Sequence, residues 1–211
     1  MQDETSFLEI ANNTVRELVL KEFKADSCHA NTRILIDVLN YFGVTGIPVP
    51  VEVTIFNNEA WNILTDKGLE AVAKAVHARQ PEEKGGPWTV GVGIVVNNNP
   101  TGGHVVVGVP SEHVILDGSL DQASRPNKDI YLKPYVIQTE DSYFFTEPNE
   151  LIVTEINEKG LPPVFITYRH STHKQYLNSP NWKGKTGDGG TEPFKRITGQ
   201  AIRNLRDIKL N

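Results

Sequence analysis

The stretch His104-Val105-Val106-Val107-Gly108-Val109-Pro110-Ser111-Glu112-His113-Val114-Ile115-Leu116-Asp117 decides the fold. It holds two apolar runs of β character, residues 104–109 and 113–116, separated by Pro110-Ser111-Glu112. That pattern reads as an antiparallel hairpin. Pro110 cannot adopt the positive φ of a two-residue primed turn, so the loop is longer. A loop centred between Pro110 and Ser111 sets Val109 against Glu112, Val107 against Val114 and His104 against Asp117. A four-residue loop over 109–112 keeps that register, and an odd-length loop makes the last pair diagonal. In each case an imidazole and a carboxylate share one face within hydrogen-bonding reach.

Upstream of the hairpin, residues 88–96 read as a further strand, with Asn97-Asn98-Asn99-Pro100-Thr101-Gly102-Gly103 between. Earlier still, Ile47-Pro48-Val49-Pro50-Val51-Glu52-Val53-Thr54-Ile55-Phe56 alternates Val49, Val51, Val53 and Ile55. That is a strand with one buried face, its start marked by two prolines. Residues 5–23 carry Leu8, Ala11, Val15, Leu18 and Val19 at helical spacing. A second helix is expected from Asp26 or Ser27 as N-cap through Leu35, Val38, Leu39 and Phe42, with Gly43 just past its end. A third is expected over residues 65–79, with Leu69, Val72, Ala73 and Val76 on one side.

Downstream, residues 118–150 are irregular, with candidate strands at 135–138 and 143–145. Residues 163–168 read as a strand, 183–190 as a flexible loop and 191–209 as a final helix. Helices first and antiparallel strands afterwards predict an α+β fold.

The chain of 211 residues, 38 % hydrophobic and 22 % charged, is suited to one domain and long enough for a buried core. A net charge of −5 gives no electrostatic reason to expect nucleic acid or an anionic membrane as partner. The single cysteine excludes an intramolecular disulfide and a Cys-rich zinc site. The start Met1-Gln2-Asp3-Glu4 is acidic where a signal peptide is basic, and no apolar run reaches the length of a membrane span. A soluble, cytoplasmic protein is the expectation.

Cys28 falls in the first turn of the expected second helix, where backbone N–H groups and the helix dipole favour a thiolate. A buried, inert cysteine is the ordinary alternative. The downstream His104 and Asp117 favour the first reading, because Cys, His and Asp then fill the roles of nucleophile, base and orienting group.

These residues and their contexts resemble the transglutaminase-like superfamily, which has a papain-like core. Cys28 is followed by Gly43-Val44 and Ile47-Pro48-Val49-Pro50-Val51, like the nucleophile helix and the strand after it. Gly103-His104-Val105-Val106-Val107 and Ile115-Leu116-Asp117 are similar to the His and Asp strands, in the same order. The resemblance spans about residues 20–125 of the 211. It implies a cysteine-bearing helix packed on an antiparallel β-sheet, with a catalytic core over 1–150 and a C-terminal extension, 151–211, packed on the same domain. It further implies cysteine-dependent acyl transfer (amide hydrolysis, deamidation or transamidation) on a protein, peptide or small amide or acyl substrate, with no cofactor. Arylamine N-acetyltransferases share this core and order of residues and are the nearest alternative. Their arginine- and glycine-rich run before the nucleophile is replaced here by Lys24-Ala25-Asp26-Ser27. A binding module with a vestigial site is the alternative from another class.

In that mechanism the Cys28 N–H is one oxyanion donor, and Asn12, Asn13 and Gln122 are candidates for the second. The irregular segment 118–134 directly follows Asp117 and is the expected source of substrate contacts, with Gln122, Arg125 and the cleft-facing parity of His113 as candidates. Arg125 suits an anionic group or a surface ion pair. His29 is read as surface or cleft wall and His77 as solvated. His170 and His173 lack a nearby carboxylate in sequence for a metal site. Gly184-Lys185-Thr186 lacks the first glycine of a phosphate loop, since Ser179 holds that place. Trp88, Trp182, Tyr131, Tyr135 and Tyr143 are read as packing residues or a substrate-facing rim.

Overall fold

The alternating valines become an eleven-residue strand, β1 (Ile47–Asn57), and the sheet assembles on both of its edges in this computed structural model. The structure describes residues 4–23, 27–79, 85–93, 103–140, 142–147, 150–172, 174, 177, 182 and 191–209. Two helices, α1 (Glu4–Glu22) and α2 (Cys28–Tyr41), precede β1. After it come α3 (Asn58–Lys67), α4 (Leu69–His77), β2 (Thr89–Val92), β3 (His104–Val109), β4 (Val114–Asp117), β5 (Tyr135–Gln138), β6 (Leu151–Ile156), β7 (Val164–His170) and α5 (Thr191–Lys209). The class is α+β, with an antiparallel sheet in the order β5-β4-β3-β1-β7-β6 and β2 also beside β1.

One edge of β1 is shared. Its first half pairs with β3 (Val51 opposite His104) and its second half with β2 (Val53 opposite Val92), while β7 covers 51–57 on the other edge. So β2 and β3 lie end to end in one direction, and His104 opens the second of them. The junction requires Gly93, at φ +77°, because a Cβ there would lie 2.5 Å from the His104 Cβ and 2.7 Å from the Val51 carbonyl oxygen. The two ends of the strand order approach each other. Tyr135 donates to Glu158, and Lys133 Nζ lies 2.8 Å from the same carboxylate, and the sheet is curled nearly shut.

Two apolar layers follow. Leu8, Val15, Ile34, Leu35 and Leu39 of the first two helices pack with Phe194, Ile197 and Leu205 of α5 on Val107, Val109, Val114 and Leu116. The other parity of the same strands, Val106 and Ile115, joins Val49, Val53, Ile55, Ile166 and Tyr168 inside the curled sheet. With both faces covered, β3 is buried at all six positions, and this is why it reads as an unbroken apolar run. Each fully buried Val or Leu contributes roughly 1.5–3 kcal/mol through surface removed from water.

Several expectations need correction. The hairpin is offset by two residues: its loop is 110–113, with Pro110–Glu112 in a 3₁₀ turn and His113 left-handed at φ 52°. Val109 therefore pairs with Val114 and Val107 with Leu116. The helix expected over 65–79 is two helices, α3 and α4, broken at Gly68 with φ +80°, and Leu69 is exposed. Residues 143–145 lie in a 3₁₀ turn, Ser142–Phe145, rather than a strand. Strand β6 was not expected, since Leu151 and Val153 face outward. The expected extension 151–211 supplies β6, β7 and α5, which lie within the same sheet and helix layer. Residues 94–96 of the strand expected at 88–96 and the loop at 183–190 lie outside the described residues. No helix among the described residues is long and apolar enough to cross a membrane.

Candidate active site

The first turn of α2 faces the start of β3, and one hydrogen bond sets that register. Thr32 lies one helical turn after Cys28, on the same face. Its hydroxyl donates to the Val105 carbonyl at 2.7 Å, next in the chain to His104. Ser27 occupies the N-cap position, but its side chain does not cap the helix. Its Oγ instead accepts from Arg16 Nη1 at 3.3 Å. Gly43 follows the C-cap at φ +81°, the place the sequence assigns to it.

Cys28, His104 and Asp117 come together, all buried, with His104 2 % exposed and Asp117 fully enclosed. His104 Nε2 lies 2.9 Å from Asp117 Oδ2. The same carboxylate oxygen accepts from the Tyr168 hydroxyl at 3.1 Å, and Oδ1 accepts from the Ser119 N–H at 3.1 Å. A buried carboxylate held by three donors is oriented and electrostatically supported. With Nε2 engaged, Nδ1 is the ring nitrogen left to face the thiol.

The electrostatics follow from these contacts. Burial pushes the Cys28 thiol up, but hydrogen bonds to His104 and His29 and the nearby imidazolium charge outweigh it and bring the pKa down to about 6. Burial alone would lower His104, yet the Asp117 charge and hydrogen bond, with Cys28, raise it to about 10. The two shifts, thiol down and imidazole up, both favour the thiolate–imidazolium form of the pair over the neutral one. Burial and the Asp117 charge hold the Tyr168 phenol well above its ordinary value, so it remains a donor.

The other residues singled out in the sequence divide. Gln122 is half-buried on the 3₁₀ turn Leu120–Ala123, with Nε2 3.3 Å from His104 Nδ1. Asn12 donates its amide to the Tyr135 carbonyl at 3.1 Å, and its helix neighbour Asn13 is half-buried. Arg125 turns back on its own loop, donating to the Gln122 and Ser124 carbonyls at 3.0 and 2.8 Å. His113, exposed in the β3–β4 loop, stands at the opposite end of β4 from Asp117. His29 is buried beside the thiol, closer to the chemistry than its position around the helix implied. His77 is exposed. His170 meets the Glu147 carbonyl, while His173 and 183–190 lie outside the described residues. Arg79 Cζ and Lys128 Nζ lie 4.3 and 3.8 Å from the centre of a Trp88 ring. Among the described residues no group of three or more His, Cys, Asp or Glu side chains is arranged to hold a metal ion.

Two further residues, Tyr168 and Arg16, belong to the site. Tyr168 reads only as a strand residue, and no local signal ties it to a carboxylate 51 positions earlier. Arg16 sits in an apolar helical stripe, and a fully buried arginine there was the available sign of a specific partner. Comparison with family models, with curated proteins and with solved structures gives no significant match.

Proposed function

We propose that this chain is a thiol-dependent acyl-transfer enzyme of transglutaminase-like, papain-like type, with Cys28 as nucleophile, His104 as acid and base, and Asp117 as the group that orients His104. The observation that supports it most is the hydrogen-bonded relay from Tyr168 through Asp117 and His104 to a thiol at a helix N-terminus, assembled from four separate parts of the chain. A purely structural buried cysteine needs none of these partners.

In this reading the Cys28 thiolate adds to the carbonyl carbon of an amide or ester, and the carbonyl electrons move to oxygen. Collapse of the tetrahedral species expels the leaving group. A leaving amine takes the proton from His104 Nδ1, and a thioester remains on Cys28. Water or an amine then attacks the thioester while His104 accepts its proton, and thiolate leaves. Asp117 stabilises the imidazolium in both steps. The reading is tested with p-nitrophenyl acetate: an acetyl adduct should form on Cys28 in the folded protein, seen by peptide mass mapping, and His104→Ala should slow it by about 10²–10⁴-fold. Acetylation spread over lysines with Cys28 unmodified contradicts it.

A further inference from the structure

Beside the relay there is a second network that the mechanism above does not use. Arg16, on α1 and only 2 % exposed, holds Asp121 with two contacts, Nη2 to Oδ1 at 2.8 Å and Nε to Oδ2 at 3.2 Å. Its Nη1 donates to Ser27 Oγ. Asp121 immediately precedes Gln122, and Ser27 immediately precedes Cys28. One buried guanidinium therefore fixes the spacing between the turn that carries Gln122 and the helix start that carries the nucleophile. A planar fork with bidentate geometry suits that task, because it sets direction as well as distance.

We propose that Gln122 is the second oxyanion donor of this site, acting with the Cys28 N–H, and that Arg16 is the positioning residue that sets their separation. The inference rests on the thiol-enzyme reading above. Gln122 Nε2 lies 3.3 Å from His104 Nδ1, so its amide stands beside the ring nitrogen that faces the thiol. The Cys28 N–H is in the first turn of α2, where helix geometry provides no intrahelical acceptor. When Nδ1 is protonated it has no lone pair, and the Gln122 N–H groups lose their ring acceptor. The same proton transfer that makes the thiolate thus releases the donor for the oxygen on which charge develops. The turn is fixed on its other side as well, since the Gln122 N–H donates to the Ser119 carbonyl and Ser119 is held by Asp117. Asn12 already spends one amide N–H on the Tyr135 carbonyl and makes no hydrogen bond to His104.

The test compares two reagents on the full chain. Iodoacetamide alkylates sulfur by displacement and forms no tetrahedral oxyanion, whereas p-nitrophenyl acetate acylates it through one. Gln122→Ala is expected to slow Cys28 acylation by about 10²–10³-fold, the loss typical of one oxyanion donor, and to leave alkylation and its pH midpoint within about threefold. Arg16→Lys is expected to lower the same acylation-to-alkylation ratio by a smaller factor. Asp121→Asn serves as the second variant if Arg16→Lys does not fold. A parallel fall in both reactions overturns the proposal, since Gln122 would then act through His104, and so does the absence of any fall. A wild-type protein whose folded Cys28 reacts with neither reagent overturns the thiol-enzyme reading itself, and this proposal with it.

Discussion

His104 Nε2 and Asp117 Oδ2 stand 2.9 Å apart although the two residues are not cross-strand partners. The β3–β4 register pairs Val107 with Leu116, and continuing it sets Val106 opposite Asp117, so His104 meets the carboxylate along the diagonal. Diagonal neighbours on one face are about 7–8 Å apart at the backbone, a span that an imidazole and a short carboxylate together bridge. Tyr168 fixes the carboxylate from the far side of the curled sheet.

The orienting role proposed for Asp117 has a direct consequence. Asp117→Asn removes the charge that raises His104, and the thiol loses its imidazolium partner. Acylation of Cys28 at pH 7 should fall by about 10²–10⁴-fold. Tyr168→Phe removes only one hydrogen bond, and a urea titration should show a loss of about 1 kcal/mol with acylation kept within about tenfold. Equal losses in the two variants would contradict the division of roles.

Gly93 touches the site through backbone sterics alone. Gly93→Ala places a methyl against His104 in a left-handed conformation, so it should cost about 1–3 kcal/mol of stability and displace the ring. Alkylation of Cys28 by iodoacetamide should slow with it, and unchanged stability and labelling would show that the β2–β3 junction does not constrain His104.

Stability should report where the pair's proton sits. In the unfolded chain between pH 6.5 and 9.0, the ordinary values for His and Cys, the thiol is protonated and the imidazole neutral. In the folded chain, with Cys28 at about 6 and His104 at about 10, the sulfur is bare and the ring is charged. Both states hold one proton, so the pair leaves stability flat across that window. Cys28→Ser removes the acidic member. His104, still raised by Asp117, then contributes stability that is full below pH 6.5 and is lost as pH rises towards its folded pKa. Relative to wild type, the variant should lose up to about 1.4 kcal/mol per pH unit between about pH 7 and 8.5, read from urea midpoints. A pH-independent difference would contradict the thiolate–imidazolium assignment.

What the sequence made legible was local periodicity. The stripe Leu8, Ala11, Val15 and Val19, the alternation of Val49 to Ile55 and the unbroken run before Pro110 each became the element they spell, because burial on one face or both leaves a period in the chain. Gly43 marked a helix end for the same local reason. Cys28, His104 and Asp117 were readable as a set because a helix start and a hairpin bring together residues of known parity. The offset of two was not readable, since it depends on whether Val109 or His113 belongs to the loop, and that is decided by a left-handed His113 and by packing. Strand β6 was hidden because Leu151 and Val153 face outward and its support comes from β7. Tyr168 and Arg16 were hidden because their partners are remote in sequence.

The most direct measurement is the rate of Cys28 alkylation by iodoacetamide against pH, in the folded wild-type protein and in His104→Ala. A wild-type midpoint near pH 6 is expected, with the midpoint in His104→Ala moved above pH 8 as the thiol loses its partner. A wild-type midpoint at the value of a free thiol, a midpoint that His104→Ala leaves in place, or labelling only after unfolding would contradict it.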